Sequence, residues 1–304
     1  MTWGVVATVK ADTKAILQFA AYHLDAGAHR VFVYLDEDDE AARLALKAHP
    51  KCRVTRCTQG YWRKLTGKRP VKHQVRQTRN ATRVYVRADV DWLAHIDVDE
   101  FLVADEPINA MLADLPKHVQ TVRARPMELL AGGNGTAFKA FVPPLFWRHS
   151  VVSRIYPTFG PQLRDGFMSH NSGKLFARTS MDEVEFRIHN VFRNGEKNPG
   201  EVELNKLRLA HRLATDWAHW MAAYRFRVTS GSYRSDLAAG HDGMNLHSVL
   251  TGIEATKGEP GLRRFFDEVC MDTPALRTRL KQAGLLQRAD LDLDEKTARH
   301  FPQI

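Results

Sequence analysis

Two aspartates stand two residues apart where an apolar segment breaks off, in the run Trp92-Leu-Ala-His-Ile-Asp-Val-Asp-Glu-Phe-Leu102. If the segment continues as a strand, alternation puts Asp97 and Asp99 on one face and turns Val98 toward the core. Two carboxylates held so close repel each other and want a cation between or beside them. Hard oxygen ligands favour Mg²⁺ or Mn²⁺ over zinc, and such ions keep positions open for water or for substrate phosphates. The chemistry expected here is a divalent ion at Asp97 and Asp99 serving a phosphate-bearing donor. The plainer alternative is a strand end that runs into an acidic turn.

The elements before this pair read as an α/β alternation. Val5-Val6-Ala7-Thr8-Val9 and Val31-Phe32-Val33-Tyr34-Leu35 are β-rich apolar runs, and residues 13–26 between them carry helical periodicity that Gly27 closes. A second helix over 38–48 ends before Pro50, and 53–57 predicts a third strand. Such alternation predicts a mixed, mostly parallel Rossmann-like sheet flanked by helices, with ligands bound beyond the carboxyl ends of its strands. The acidic tip Asp36-Glu37-Asp38 and the pair Asp97/Asp99 both fall at such ends.

Between these tips lies a basic stretch, Arg63 to Arg87, with no Asp or Glu. Residues 59–70 read as a loop; from Val71 the spacing is helical, with Val71, Val75, Thr78, Thr82 and Tyr85 on one face and Lys72, Arg76, Arg79, Arg83 and Arg87 on another. Beyond Leu102 the alternation weakens. Residues 121–125, 173–177 and 184–191 read as strands, 143–161 as a loop-rich lid, and the chain from about Leu204 as helical, with Trp217, Trp220, Met221 and Tyr224 at core-facing spacing.

The 304 residues are 44% hydrophobic, ample for a packed interior, and carry a formal net charge of +9. The basic balance implies anionic partners: nucleotides, nucleic acid or an acidic membrane surface. Cys52, Cys57 and Cys270 have neither metal-ligand spacing nor an even count. The absence of a signal segment or an apolar run of membrane-spanning length makes a cytoplasmic location the expectation.

Four segments in order, spanning about 5–212, resemble family-two glycosyltransferases of the GT-A fold. They are the first strand with Lys10 and the acidic tip at Asp36; Gln77-Thr78-Arg79-Asn80; the stretch 88–102, most similar to a bacterial branch with Asp-x-Asp-Glu-Phe; and Leu207-Arg208-Leu209-Ala210-His211. The residues around Asp36 depart from the family's usual Asp-Asp/Asn-x-Ser, and those after His211 from the branch's pattern. The resemblance implies a GT-A-like domain over 1–212 (a nucleotide-sugar half, 1–102, and an acceptor half, 103–212) and a helical extension over 213–304.

By resemblance, Asp36 faces nucleobase and ribose, Arg79 and Asn80 lie against the donor, Asp97 sits near ribose and metal, Asp99 binds Mn²⁺ or Mg²⁺, and His211 returns to the metal and diphosphate. His189 competes with His211 for that place, while Lys174 reads either as an exposed lysine or as a charge reaching phosphate. The reaction implied is sugar transfer, with inversion, from a nucleotide-sugar to a glycan or lipid-linked acceptor in cell-surface polysaccharide synthesis. Basic charge would hold the enzyme at the inner, anionic face of the membrane. Sugar transfer also needs a proton acceptor, for which Glu128, following a strand, and Asp165, in a loop, are the candidates. Two rivals are a nucleic-acid-binding protein using 63–87, which leaves the aspartates unexplained, and a metal-dependent phosphoesterase, which would want Thr after the second Asp.

Overall fold

β-Branched apolar runs and capped helices alternate along the first hundred residues, and most become the element their pattern predicts. The computed structural model describes residues 1–229 and 246–303. The chain begins β1 (Trp3–Val9), α1 (Thr13–Asp25), β2 (Arg30–Leu35), α2 (Glu40–Ala48), β3 (Cys52–Arg56), α3 (Gln59–Thr66), α4 (His73–Tyr85), β4 (Trp92–His95) and β5 (Glu100–Ala104). It continues through α5 (Ile108–Ala113), β6 (Thr121–Leu129), β7 (Ala137–Ala140), α6 (Arg148–Ile155), β8 (Lys174–Arg178), β9 (Val184–Phe186), β10 (Val191–Arg193), β11 (Glu196–Lys197) and β12 (Glu201–His211). The last elements are α7 (Trp217–Thr229), α8 (Leu246–Val269), α9 (Pro274–Gln282), β13 (Leu286–Arg288) and α10 (Leu293–His300).

These elements form two units that are not consecutive halves of the chain. The first comprises Met1–Pro126, Ser172–Leu209 and Leu291–Ile304; the second comprises Met127–Asn171 and Ala210–Asp290. In the first, β3-β2-β1-β4 run parallel, β8 adds antiparallel to β4, and Thr121–Ala124 of β6 pair antiparallel with β8. The result is the mixed α/β sheet with flanking helices that the sequence predicts, a layout consistent with a GT-A-like fold. Almost every residue of β1 is buried, as a central parallel strand covered on both faces requires. Asp12 caps α1 by accepting the Ala15 N–H, and Gly27 takes φ +95° just beyond its end. α10 returns to lie against α1, where Gln18 Nε2 donates to Asp294 Oδ1 at 2.9 Å.

Five local expectations are corrected, one being that residues 148–155 of the stretch 143–161, expected to be loop-rich, form the helix α6. Residues 59–66 are helical, not loop: Thr58 accepts the Tyr61 N–H as N-cap, Trp62 is buried, and Gly67 at φ +78° stops the helix. The buried face of α4 is Gln77, Asn80, Ala81, Val84 and Tyr85, whereas Val71 and Val75 are exposed, because the polar pair finds hydrogen-bond partners described below. The expected strand 184–191 is interrupted, with His189 lying between β9 and β10. The chain from Leu204 is not helix but the eleven-residue β12, paired with β5 and β6; helix begins at Trp217.

In the second unit β7 pairs antiparallel with Met127–Leu129 of β6 and with β13. Its core gathers Trp220, Tyr224, Leu262, Phe265 and Phe266, and Trp217, Trp220 and Tyr224 stack in succession, at the core-facing spacing expected. No helix among the described residues is long and apolar enough to cross a membrane. Burial pushes all three cysteine thiols up to about 12, which makes them poor nucleophiles.

His23 links α1 to β5 and gives the fold a pH dependence. Its ring is fully buried, with Nδ1 2.8 Å from the Phe19 carbonyl oxygen and Nε2 accepting the Leu102 N–H at 3.4 Å. A carbonyl can only accept, so Nδ1 carries the proton and the ring is neutral. Burial lowers its pKa to about 4, against the pull of the Phe19 carbonyl. The unfolded chain takes up this proton near pH ~6.5 and the native state does not. Stability is therefore expected to fall by roughly 3 kcal/mol as pH drops from ~6.5 to ~4. Urea unfolding across that range checks it, and His23→Gln should flatten the slope; an unchanged slope in that variant would show that other groups cause it.

Candidate active site

β4 does not continue through Asp97 and Asp99. It ends at His95, and residues 96–99 form a turn into β5, so the two carboxylates are presented by a turn rather than by strand alternation. Glu100 ties this turn: its Oε2 accepts the Asp97 N–H at 2.8 Å, while its own N–H donates to the Asp97 carbonyl at 3.1 Å. Val98 still packs against the core.

Beside Asp97 the chain itself supplies a cation. Lys174, with 1% of its side chain exposed, is not the surface lysine that one reading of its sequence context suggests. Its Nζ lies 2.7 Å from Asp97 Oδ2 and 3.5 Å from Glu100 Oε2. Burial disfavours its charge, but Asp97, Glu100 and Asp99 outweigh that and hold its proton above the ordinary lysine range. The other Asp97 oxygen, Oδ1, accepts from Gln77 Nε2 at 2.5 Å. Lys174 begins β8 directly after Gly173, which sits at φ +66° where a Cβ would come within 2.0 Å of the Ala124 carbonyl oxygen. Only glycine fits there, and His189 Nδ1 lies 2.9 Å from the Gly173 carbonyl.

α4 connects this turn to the other acidic tip. Arg76, next to Gln77, grips Asp36 through Nε, 2.9 Å from both carboxylate oxygens, and through a terminal nitrogen 2.6 Å from Oδ2. A bidentate pair of this kind fixes direction as well as charge. Arg69 adds a contact to Asp36 Oδ1 at 3.0 Å. Asp36 is itself held at the end of β1, its N–H donating to the Val9 carbonyl at 2.8 Å, and Ile96 N–H donates to Val6. The two aspartates thus flank the carboxyl end of β1, where the strand order 3-2-1-4 reverses direction. An open cleft of ≈ 330 Å³ lies there, lined by Lys10, Asp36, Glu37, Arg69 and Arg76, with Lys10 paired to Glu37 at 2.5 Å. His73, the first residue of α4, lies within the fields of Asp97 and Asp36; burial lowers its pKa and those carboxylates oppose the shift.

Arg79 and Asn80 are placed differently from each other. Arg79 is exposed, whereas Asn80 is fully buried and joins three elements: its amide donates to Thr8 Oγ1 at 2.9 Å and its oxygen accepts from the Tyr61 hydroxyl at 2.6 Å. Sequence reasoning missed Arg69, Arg76, Gln77, His73 and Glu100. The available signal was polar Gln77 and Asn80 on one helical stripe with Ala81 and Val84, a buried face too polar for a plain core.

Glu128, Asp165 and His211 belong to the second unit. Glu128 lies within β6 rather than after it, directly across from Lys139 on β7. Both side chains are buried; the Glu128 carboxylate accepts the Met168 and Ser169 N–H groups and the Ser169 hydroxyl, and its Oε2 is 3.5 Å from Lys139 Nζ. Lys139 in turn donates to the Gly166 and Val269 carbonyls, each at 2.9 Å. Burial disfavours its charge, yet Tyr156 and Glu128 raise its pKa above the ordinary range. A carboxylate so committed is an anchor for residues 166–169, not a ready proton acceptor. Asp165 accepts from the Phe167 N–H and, at 2.7 Å, from Asn171 Nδ2. Burial pushes its carboxyl above the usual range, against the Phe167 N–H and with help from Glu128. His211 is the last residue of β12 and half-buried.

No family model and no curated protein matches this sequence. Among solved structures the chain is similar to HddC from Yersinia pseudotuberculosis, at 10% identity over 74% of this chain and 100% of that one, TM-score 0.40. It is similar to S. aureus TarS 1–349 at 12% identity over 99% and 90%, TM-score 0.38. It is also similar to the galactosyltransferase LgtC, solved with donor and acceptor sugar analogs, at 16% identity over 58% of each chain, TM-score 0.29. At such scores the chemistry of the site is read from the residues of this chain alone.

Proposed function

We propose that this chain is a glycosyltransferase that moves a sugar from a nucleoside-diphosphate donor to an acceptor hydroxyl. The observation that carries this reading is the convergence of Lys10, Asp36 and the Asp97–Asp99 turn on the carboxyl ends of β1, β2 and β4, at the point where strand order reverses. Open α/β sheets bind their ligands in that crevice. Asp36, aimed by Arg76, accepts hydrogen bonds from ribose or base, and Lys10 and Arg69 offer charge to the diphosphate. Asp97, locked by Lys174 and Gln77, keeps the turn and its ribose-side oxygens in place.

Among the described residues no three His, Cys, Asp or Glu side chains gather into a metal cage. The turn instead offers one or two carboxylates, the number that holds Mg²⁺ or Mn²⁺ when substrate phosphates complete the sphere. Asp99 is the ligand we assign. The ion, when bound, supplies Lewis-acid stabilisation of the departing diphosphate. Of the two candidate proton acceptors we assign Asp165, because the Glu128 carboxylate is committed to the Met168 and Ser169 N–H groups and to Lys139. Attack is direct and inverting, as the family-two resemblance implies, and a cell-surface polysaccharide or lipid-linked glycan is the acceptor class.

Calorimetry with a panel of nucleoside diphosphates, with and without Mn²⁺, tests the proposal. Metal-dependent binding that disappears in Asp99→Ala supports it. Strongly salt-dependent binding of DNA or RNA with no nucleotide response would sink it. Of the aromatic residues in the basic stretch, Trp62 and Tyr85 are buried and so closed to stacking on nucleic-acid bases.

A further inference from the structure

The second unit carries an exposed apolar tip within the stretch 143–161 that the sequence reads as a lid. Between Glu128 and Asp165 the sequence holds no acidic residue. In its middle stand Pro143, Pro144, Leu145, Phe146 and Trp147, five consecutive exposed residues. Leu145 is 45% exposed, Trp147 59% and Phe146 fully so. Single exposed apolar residues are ordinary, but three large ones in succession are not.

The tip is built, not frayed. Two prolines stiffen its approach, the Leu145 N–H donates to the Pro143 carbonyl at 2.7 Å, and the Arg148 N–H to the Leu145 carbonyl at 3.0 Å. The Val151 N–H donates to Trp147, so α6 begins directly behind the aromatic pair. Val142 on one side and Val152 and Ile155 on the other are buried in the unit's core and fix both ends. The tip is thus tied to the core on both sides, with its large side chains exposed. The charges nearest the tip along the chain are cationic, Arg148 at the start of α6 and then exposed Arg154 and Arg164, while the carboxylate of Glu268 is tied to the Thr158 and Phe159 N–H groups.

We propose that residues 143–149 are a membrane-docking tip, which seats Leu145, Phe146 and Trp147 among the headgroups of an anionic bilayer while the neighbouring arginines meet lipid phosphates. Aromatic side chains favour that interface, and an anionic leaflet attracts cations held beside it. Charge selects lipid over a second copy of this chain: a two-fold contact would set the same cationic patch against itself. The inference stands whether or not the chain transfers sugar.

Co-sedimentation of the full chain with phosphatidylglycerol-containing vesicles, against pure phosphatidylcholine, tests it. The chain is expected to partition onto the anionic vesicles with a blue shift in tryptophan emission. Phe146→Ser/Trp147→Ser should lower that partition by roughly tenfold or more with an unchanged urea midpoint, as befits exposed positions. Equal partition of this variant would overturn the tip and leave general basic charge as the cause. So would a wild-type chain that stays in the supernatant, or a vesicle-free dimer by light scattering that the double substitution dissolves, which would make the patch a self-contact.

Discussion

Lys174→Met is expected to destabilise the protein by about 3–5 kcal/mol, the range for removing one partner of a buried ion pair. The side chain is almost fully buried beside Asp97 and Glu100, and methionine would fill most of its volume while removing the ammonium from beside those carboxylates. The penalty is electrostatic and not one of lost packing. The double variant Lys174→Met/Asp97→Asn should therefore recover part of the loss, and a double-mutant cycle measures the coupling. Urea unfolding at constant m reads each step. A loss below about 1 kcal/mol in the single variant would mean that Lys174 is not their counter-ion.

The sign of the pH dependence follows from the raised pKa of Lys174. Its contribution is fully present below the unfolded lysine pKa of ~10.4 and is lost only as pH rises from there through the higher folded value. The gap between wild type and Lys174→Met should hence be flat from neutral pH to about pH 9 and narrow only in stronger alkali. Because the same lysine holds Asp97 in place, nucleotide binding should fall with it even where the variant remains folded.

Glu128→Leu should cost a similar 3–5 kcal/mol: it removes the carboxylate beside the Lys139 ammonium and the acceptor of the Met168 and Ser169 N–H groups. Glu128→Gln keeps the shape and an acceptor oxygen, so its loss should be smaller, with turnover falling mainly as residues 166–169 loosen. Asp165→Asn should do the reverse, leaving the urea midpoint nearly unchanged while turnover collapses and the acid limb of its pH profile disappears. If instead Glu128→Gln abolished turnover in a fully stable protein, the carboxylate at position 128 would be the base.

These two buried lysines show where the sequence stops being legible. Lys139 and Lys174 look like any surface lysine in a strand, since burial of a long cation depends on partners far along the chain. Asp97 is 77 residues from Lys174, and no local pattern announces such a pair. Arg76 is similar: within a basic helix it is one cation among several, and only the approach of α4 to the end of β2 selects it for Asp36. Turn conformation was equally hidden, because Asp-x-Asp reads alike on a strand or in a turn, and the Glu100 carboxylate that closes the turn acts through a hydrogen bond to backbone.

What the sequence determined by itself is what local forces determine. The run of β-branched residues in β1 and β2, the cap Asp12, the break at Gly27 and the stop at Leu35 before an acidic tip fix a βαβ unit and place Asp36 at a strand end, because hydrophobic periodicity and capping act within a few residues. The same periodicity put Trp217, Trp220 and Tyr224 in the core. Tertiary structure decided which charges compensate which: that Asp97 answers to Lys174, Asp36 to Arg76 and Glu128 to Lys139. Coulombic attraction gains its strength where water is excluded, and only the packed chain creates such places.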